Sequence, residues 1–503
     1  MSLSFWLSNN SKEEFKGVEG TVNSDIAIIG GGMTGIMCGY MLADSGFKVS
    51  ILEKNRIGSG TTGNTTAKIT AGHALMYSKM CKSFGEDKAK LYLKANESAI
   101  KDIQEIIKTE NIDCDFMKQK SYLYTEKYEN IKALEEEYEV VEKLGGDIKL
   151  IDDKCLGRDV PFNVLKALCY NNSAKFHPIK YLNTISNIIS KKGVEIYENT
   201  KVTNIINYKD DYEIVTQNGS IIAQYVILAS HYPITNIPGY YFLRMYQERD
   251  YIIGIKTENK FFDDMYLSVD SPTRSFRTAK TNDGEILLIG GGEHKTGKSI
   301  PNVNEYEKLE KYANTLYPDC EVLYRWSAQD VMPVDNVPYI GKYSIHTPNM
   351  YVATGFKKWG MTTSHIAAKI ITDKILEKEN KYEDAFTTSR FKLAASAKRE
   401  LEILKETTKA LIIKNITLPK EQLEDITEEE GKVIEYEGQK IGVYKDSIGR
   451  FYGVDANCAH LGCELTFNDT EKTWDCPCHG SRFDIYGKNI SEPAIYDLEK
   501  IEL

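Results

Sequence analysis

The chain has 503 residues, 42% hydrophobic and 27% charged, the composition of an ordinary soluble globular protein with room for two or three domains. Its net charge of −10 argues against nucleic acid, whose binders are usually basic, and against an anionic membrane surface as partner. The opening MSLSFWLSNNSKEEFK lacks the features of an export leader, and no later segment holds ~18 uninterrupted apolar residues, so a cytoplasmic chain without membrane insertion is expected.

In chain order, Asp25 to Ile29 is an apolar run too short for a helix and stopped by glycines, which reads as a buried strand. A helix is expected from about Met33 to Ser45, with Gly46 as its C-terminal cap, and a second strand from Phe47 to Leu52. This βαβ unit implies a parallel sheet covered by helices. The stretch from Glu86 to Leu144 is charged and helix-rich, and its glutamate-heavy part, Ile131 to Glu142, reads as a solvated helix face. Strand-like segments return between Val194 and Ala229. From Tyr240 to Leu323 the pattern is that of antiparallel strands, with a turn signal at Asn282-Asp-Gly284. A strand at Tyr351 to Gly355 precedes a glycine-interrupted helix reaching about Glu377. Phe391 to Ala410 is rich in Ala, Lys, Glu and Leu without glycine or proline, and reads as a connecting helix. Beyond Lys414 come short strands and turns. The expected layout is a first domain over 1–390, with its βαβ unit at about 22–70 and substrate segments at about 80–150 and 240–325. A helical linker over 391–412 then leads to a last domain over 413–503, with the boundary near 410–415.

Gly30-Gly31-Gly32-Met33-Thr34-Gly35 fits G-x-G-x-x-G after a strand and at the start of a helix. Glycines there allow the tight turn and the close approach of a pyrophosphate, which the helix N-terminus then meets with free N–H groups. Glu53, followed by Lys54 at the end of the second strand, is placed to bind a ribose. A polar run, Gly58-Ser-Gly-Thr-Thr-Gly-Asn-Thr-Thr66, offers Thr61, Thr62, Thr65 and Thr66 to a long dinucleotide. Ala353 to Thr362, with Gly355, Gly360, Met361 and Thr362, opens another helix able to point at the same ligand.

With these three motifs in this order, residues from about 22 to 380 resemble the FAD-dependent oxidoreductases of the D-amino-acid oxidase and glycerol-3-phosphate dehydrogenase superfamily. The resemblance implies FAD as cofactor, Val202 as a backbone contact to adenine, and an α/β Rossmann-like domain with an inserted mixed or antiparallel substrate sheet. It further implies hydride removal from a C–N or C–O carbon. Arg274 and Arg277 are candidates to clamp a substrate carboxylate over the flavin. Lys68, Gln329 and Trp359 are weaker candidates, and His177 reads as structural. A second nucleotide site is not expected, because Gly290-Gly-Gly292 is followed by Lys295 where the motif needs glycine.

Cysteines are scattered singly until Cys458, Cys463, Cys476 and Cys478 crowd together. Cys458-Ala-His460 and Cys476-Pro-Cys-His479 offer two thiolates and two imidazoles, the ligand set of a 2Fe–2S centre with unlike irons. The same four side chains would also suit tetrahedral zinc. The full strings CAHLGC and CPCHGS resemble the Rieske proteins of respiratory and photosynthetic cytochrome complexes, over about residues 413–503. That resemblance implies a small all-β domain, a cluster held by Cys458, His460, Cys476 and His479, and a Cys463–Cys478 disulfide. It also implies a hydrogen bond from Ser481 to the cluster, a covering loop at Pro493, and Phe483 where high-potential members carry tyrosine. No two of the remaining histidines lie within one helical turn, which disfavours an oxygenase iron site. Together the two halves suggest a redox enzyme that exchanges a hydride between FAD and a small molecule and relays single electrons to or from a partner protein. The alternative is a flavin and iron–sulfur electron carrier or redox sensor without a substrate.

Overall fold

The computed structural model describes residues 3–8, 14–152, 160–300, 303–390 and 422–503. The helix expected over 391–412 and the boundary near 410–415 lie outside the described residues.

The apolar runs that end in glycine build the centre of a largely parallel sheet. Strand Gly20–Ile29 pairs in parallel with Gly219–Leu228 and with Val49–Leu52, so that Ile28 lies opposite both Ile227 and Ile51. Glu195–Tyr197 extends the sheet on one side and Met350–Thr354 on the other, with Tyr339–Lys342 antiparallel at the edge. Ile26, Ile28 and Ile51 share a core with helices Met33–Leu42, Pro178–Lys191 and Gly360–Ile375. Ala27, Ile29 and Leu52 face the other way, onto a core with Tyr212 and Ile214 of an antiparallel hairpin. Because both faces are covered, these strands read as unbroken apolar runs.

A second, nine-stranded sheet is mostly antiparallel, with Glu321–Pro333, Met245–Lys256, Gly284–Lys295 and Arg274–Thr281 adjacent in that order. The last two form the hairpin expected at Asn282-Asp-Gly284, with Thr281 opposite Gly284. A parallel joint between Met265–Ser268 and Met117–Thr125 makes the sheet mixed. Gly290 and Gly291 lie inside a strand of this sheet, where no helix N-terminus follows to hold a second nucleotide.

The charged stretch differs from expectation in two respects. Helices Glu86–Thr109 and Tyr128–Lys143 flank a strand, Met117–Thr125, whose exposed charged half masks its buried end. Within the glutamate run, Glu137 is fully buried, and its carboxylate accepts from the Tyr77 and Ser78 N–H groups at 2.7 and 2.8 Å. It sits at the start of helix Tyr77–Phe84, where unsatisfied amides and the helix dipole favour an anion.

The C-terminal residues form two four-stranded antiparallel sheets, one of Gly431–Tyr436, Gln439–Lys445, Phe451–Asp455 and Lys500–Ile501. The other contains Thr466–Asn468, Thr473–Asp475, Arg482–Asp484 and Asn489–Ser491. They rest on the ribbon of Met245–Lys256 and Glu321–Pro333. In that ribbon Arg249 lies opposite Gln329, and Glu248 opposite Asp330. Alternation therefore puts Gln247, Arg249, Ser327 and Gln329 on one face and Glu248, Asp250 and Asp330 on the other. The first face meets the C-terminal sheets, through Arg249 to Glu471 and Gln247 to the His479 carbonyl. The second meets Lys358. One ribbon is the wall between the two halves.

Candidate functional site

Gly30 turns the chain with a φ of +112°, and a Cβ there would lie 2.5 Å from the Ala229 carbonyl oxygen, so no larger residue fits. A Cβ on Gly35 would fall on the Gly30 carbonyl, which is how the helix starts so close to the turn. At Gly32 a Cβ would meet only Thr62 Oγ1, at 3.3 Å, so this glycine keeps the backbone open rather than packed. Gly32 is the N-cap of Met33–Leu42 and gives no side-chain cap; Thr62 Oγ1 accepts from the Met33 N–H at 3.1 Å. Glu53 accepts from the Gly31 and Asn55 N–H groups at 2.8 and 2.9 Å, and burial pushes its carboxyl above the usual range. Helix Gly360–Ile375 also starts without a side-chain cap, on Trp359.

A cavity of about 500 Å³ joins these two helix starts. Its wall includes Gly30, Gly32, Met33, Thr34, Glu53, Lys54, Thr61, Thr62, Thr65, Thr66, Val202, Gly360 and Met361. Gly35, Gly355 and Thr362 are not in the wall. Gly355, with φ +73°, packs against Pro333 and Met245, and the Thr362 hydroxyl meets His73 Nε2 at 3.3 Å. An open glycine turn, two helix starts whose N-cap residues give no side-chain cap, and a carboxylate beside the first of them fit a dinucleotide such as FAD.

Of the substrate candidates, Lys68, Gln329 and Trp359 line this cavity, whereas Arg274 and Arg277 do not. Arg277 is buried and gives Nη1 to the carbonyls of Thr66, Ala67 and Phe176, so it fastens the end of the polar run instead of facing a ligand. Arg274 lies over the Tyr312 ring at 5.0 Å and donates to the Thr273 carbonyl. The carboxylate clamp expected of these two arginines is not built. Lys68 Nζ donates to the Tyr266 carbonyl and to Ser275 Oγ at 2.6 and 2.7 Å, and burial, helped by Arg277, pushes its pKa down to about 7. Trp359 stacks on His73 at 4.6 Å; burial pushes the His73 imidazole down to about 3, so it stays neutral between Tyr92 and Thr70. His177 is structural, since its Nδ1 accepts from the Lys180 N–H at the start of Pro178–Lys191.

Sequence reasoning missed an acidic side of the cavity. Asp250, Glu293 and Asp330 line it with Lys358, whose Nζ lies 2.9 Å from Asp250, 3.2 Å from Glu248 and 3.5 Å from Glu293. Burial pushes both aspartates up to about 6, against the pull of Lys358. Sheet register brings these groups together, and no local pattern announces it.

In the C-terminal half, Cys458, His460, Cys476 and His479 converge from two loops. Cys458 and Cys476 are buried in one cluster, and the two imidazole rings stand 5.0 Å apart and nearly perpendicular. His460 Nδ1 and both ring nitrogens of His479 are buried without a partner. Buried polar atoms are rarely left so, and with two thiols beside them they match the donors of a Rieske cluster. Cys463 and Cys478 form a disulfide between the loops, and their sulfurs lie within 4.8 Å of Cys476 Sγ. Ser481 is buried, and its Oγ accepts from the Ala494 N–H at 3.0 Å. Phe483, buried opposite Trp474, brings no hydroxyl.

A flavin cradle and a two-loop cysteine–histidine site in one chain define a flavin oxidoreductase joined to a Rieske iron–sulfur domain. The chain belongs to the DAO family of FAD dependent oxidoreductases, which it matches over residues 25–374, and it carries a Rieske 2Fe-2S domain over residues 417–502. It is 38% identical over 499 residues to YhfW of Bacillus subtilis, a protein named for a Rieske 2Fe-2S centre, covering 99% of this chain and 97% of that one. It is 24% identical to the gamma-glutamylputrescine oxidoreductase of Escherichia coli, over 75% of this chain and 89% of that one. In fold it is similar to glycine oxidase from Geobacillus kaustophilus, with a TM-score of 0.63 at 19% identity over 74% of this chain and 100% of that one. FAD and a 2Fe–2S cluster are the cofactors of this oxidoreductase. Among the described residues no helix is long and apolar enough to cross a membrane.

Proposed function

We propose that the protein oxidises a small amine or amino acid at its flavin and passes the electrons singly, through the Rieske centre, to an external one-electron acceptor protein. The observation that carries this reading is the shared cavity, whose wall takes Gly32, Thr61 and Met361 from the flavin half and Glu471, Arg482, Glu492 and Ala494 from the Rieske half. Bound FAD supplies hydride acceptance and the return of electrons one at a time, and the Rieske cluster supplies a one-electron carrier. In this reading the open turn at Gly32 and the start of helix Met33–Leu42, through the Thr34 amide, hold pyrophosphate, Glu53 holds a ribose, and Val202 backs the adenine. Cys458 and Cys476 hold one iron, His460 and His479 the other. Burial pushes Lys68 down to about 7, which makes its Nζ, with the Asp250 and Asp330 carboxyls, a group on this wall suited to take or hold a proton of the substrate. Trp359 and Met361 keep water from the same end. The names of the Escherichia coli and Geobacillus relatives favour amines and amino acids over hydroxy acids. The free cysteines Cys38, Cys81, Cys114, Cys169 and Cys320 suit a reducing, cytoplasmic setting.

The test is anaerobic mixing of the holoprotein with a panel of amines, amino acids and hydroxy acids, following the flavin by absorbance and the cluster by paramagnetic resonance. At least one amine or amino acid should bleach the flavin, after which the reduced-cluster signal should rise. Flavin that is bleached only by a reduced protein, and by no small molecule, would make the chain an electron carrier.

A further inference from the structure

Two glutamines cross the wall between the cofactor sites. Gln247 and Gln329 are 2% and 8% exposed. Gln329 Nε2 donates to Gln247 Oε1 at 2.6 Å and to the Gly480 carbonyl at 2.8 Å. Gln247 Nε2 donates to the carbonyls of His479 at 2.7 Å and of Glu492 at 3.0 Å. Gly480, with φ +85°, must be glycine for this approach, since a Cβ there would lie 2.7 Å from the Cβ of Gln247. On the flavin side, the Gln329 carbonyl accepts from His231 Nε2 at 2.9 Å and from Thr61 Oγ1 at 3.4 Å. Gln329 Oε1 is buried without a partner, an acceptor left for whatever the cavity binds. A hydrogen-bonded path therefore runs from Thr61 in the polar run, through Gln329 and Gln247, to the backbone at His479 and Gly480.

The neighbouring contacts point the same way. His460 Nε2 donates to Asn236 Oδ1 at 2.9 Å, and Phe242 sets its ring edgewise 5.6 Å from that of His479. Both residues belong to the flavin half, and His479 is 1% exposed. The His479 imidazole is covered by this chain and not by solvent, and the His460 imidazole, though partly exposed, is bonded to the flavin half.

We infer that the histidine side of the Rieske centre is its inward port, and that Gln247 and Gln329 are positioning residues that hold the His479–Gly480 backbone against the flavin cavity and form the electronic contact across the wall. This rests on the proposed electron flow. Each crossing moves one electron. The second electron of a hydride pair follows once the external acceptor has taken the first, and the substrate's protons leave to base or solvent. Tunnelling weakens steeply across unbonded gaps, so an amide pair bonded at both ends is a better bridge than an apolar contact of the same width. The external acceptor must then approach the centre from a side other than the imidazoles.

The test uses loaded holoprotein and puts electrons on the flavin photochemically, without substrate, so that it does not depend on the identity of the substrate. Gln247→Met and Gln329→Met keep side-chain length and remove the bonds. In the double variant, passage of an electron from flavin to cluster should slow by about tenfold or more. The rate is read only on chains loaded with both FAD and iron, and the paramagnetic spectrum of the cluster should shift. Restoring Gln329 alone should recover part of the rate. A double variant that loads both cofactors and transfers at the parental rate overturns the inference. Should that variant fail to load, hydrogen–deuterium exchange at the ligand imidazoles of the parental holoprotein, read by pulsed paramagnetic resonance, decides it. Slow exchange is expected of an inward port, and exchange complete on mixing overturns it.

Discussion

Glu471 reaches from the Rieske half into the flavin half, where its carboxylate accepts from Arg249 at 2.8 Å, Ser327 Oγ at 2.6 Å and the Tyr306 hydroxyl at 2.7 Å. Burial pushes its carboxyl up, but Arg249, Arg482 and the two hydroxyls outweigh burial and hold it at about 2. Since the folded value lies below the unfolded one, this stabilisation is fully present above pH ~4.5 and is lost as pH falls toward ~2. Glu471→Gln should cost about 3 kcal/mol at pH 7, because it leaves Arg249 buried and short of its partner. The deficit should shrink steadily in denaturation measured from pH 5 down to pH 3. A variant equally destabilised at both ends of that range would remove Glu471 from this role. At the cluster, Phe483 offers no hydrogen bond to stabilise the reduced, more negative centre. The midpoint should therefore lie below the top of the roughly −150 to +300 mV range of such centres. Phe483→Tyr should raise it by on the order of 50 mV, the worth of a fraction of one charge-assisted hydrogen bond. Redox titration followed by paramagnetic resonance measures both.

At the scale of elements, the glycine turn separates two jobs that one motif performs. Gly35 is needed for packing, because its Cα lies against the Gly30 carbonyl, whereas Gly32 is needed for access, because a Cβ there meets only Thr62 Oγ1 at 3.3 Å. Gly35→Ala should therefore lower the stability of the flavin half by about 1–3 kcal/mol, as overpacked sites do. Gly32→Ala should leave the melting of FAD-free protein nearly unchanged and reduce FAD affinity by about tenfold, equivalent to ~1.4 kcal/mol. Calorimetry of FAD-free protein and flavin titration separate the two, and equal effects from both substitutions would contradict the division. The elements also show how sequence patterns misled. Strand Met117–Thr125 carries charges along its exposed half and follows a long helix, so it merged with the helical stretch around it. Glu137 looks like its neighbours in a solvated run, yet it is the member that meets the start of another helix.

At the scale of the whole molecule, the iron–sulfur site is also the core of its domain. Cys458, Cys463, Cys476 and Cys478 pack with Leu465, Trp474 and Phe483 in one cluster. Iron-free protein would leave one ligating nitrogen on each of His460 and His479 buried without a partner, each at a cost of about 1–3 kcal/mol. Removing iron with a chelator under reducing conditions should lower the melting of the C-terminal half well before that of the flavin half. It should also loosen FAD, because Glu492 and Ala494 belong to the cavity wall and Glu492 pairs with Lys54. Tryptophan fluorescence and flavin release report the two events. A chain that loses iron with no change in either would show that the halves are energetically independent.

What the sequence determined by itself was set by short stretches of chain. The turn at Gly30 to Gly35, the acid at Glu53, the threonine run and the paired cysteine–histidine strings each lie within a few neighbouring residues, so their spacing marks them as candidates and the surrounding strings carry the family resemblance. Tertiary structure alone decided which long side chains meet. Arg277 is buried against the polar run instead of clamping a substrate, Gln247 and Gln329 bridge the halves, and Arg249 finds Glu471 222 positions along the chain. The reason is physical. A strand's periodicity tells which side chains share a face, but what that face meets depends on sheet register and on how two folded halves dock, and neither leaves a mark on the local sequence.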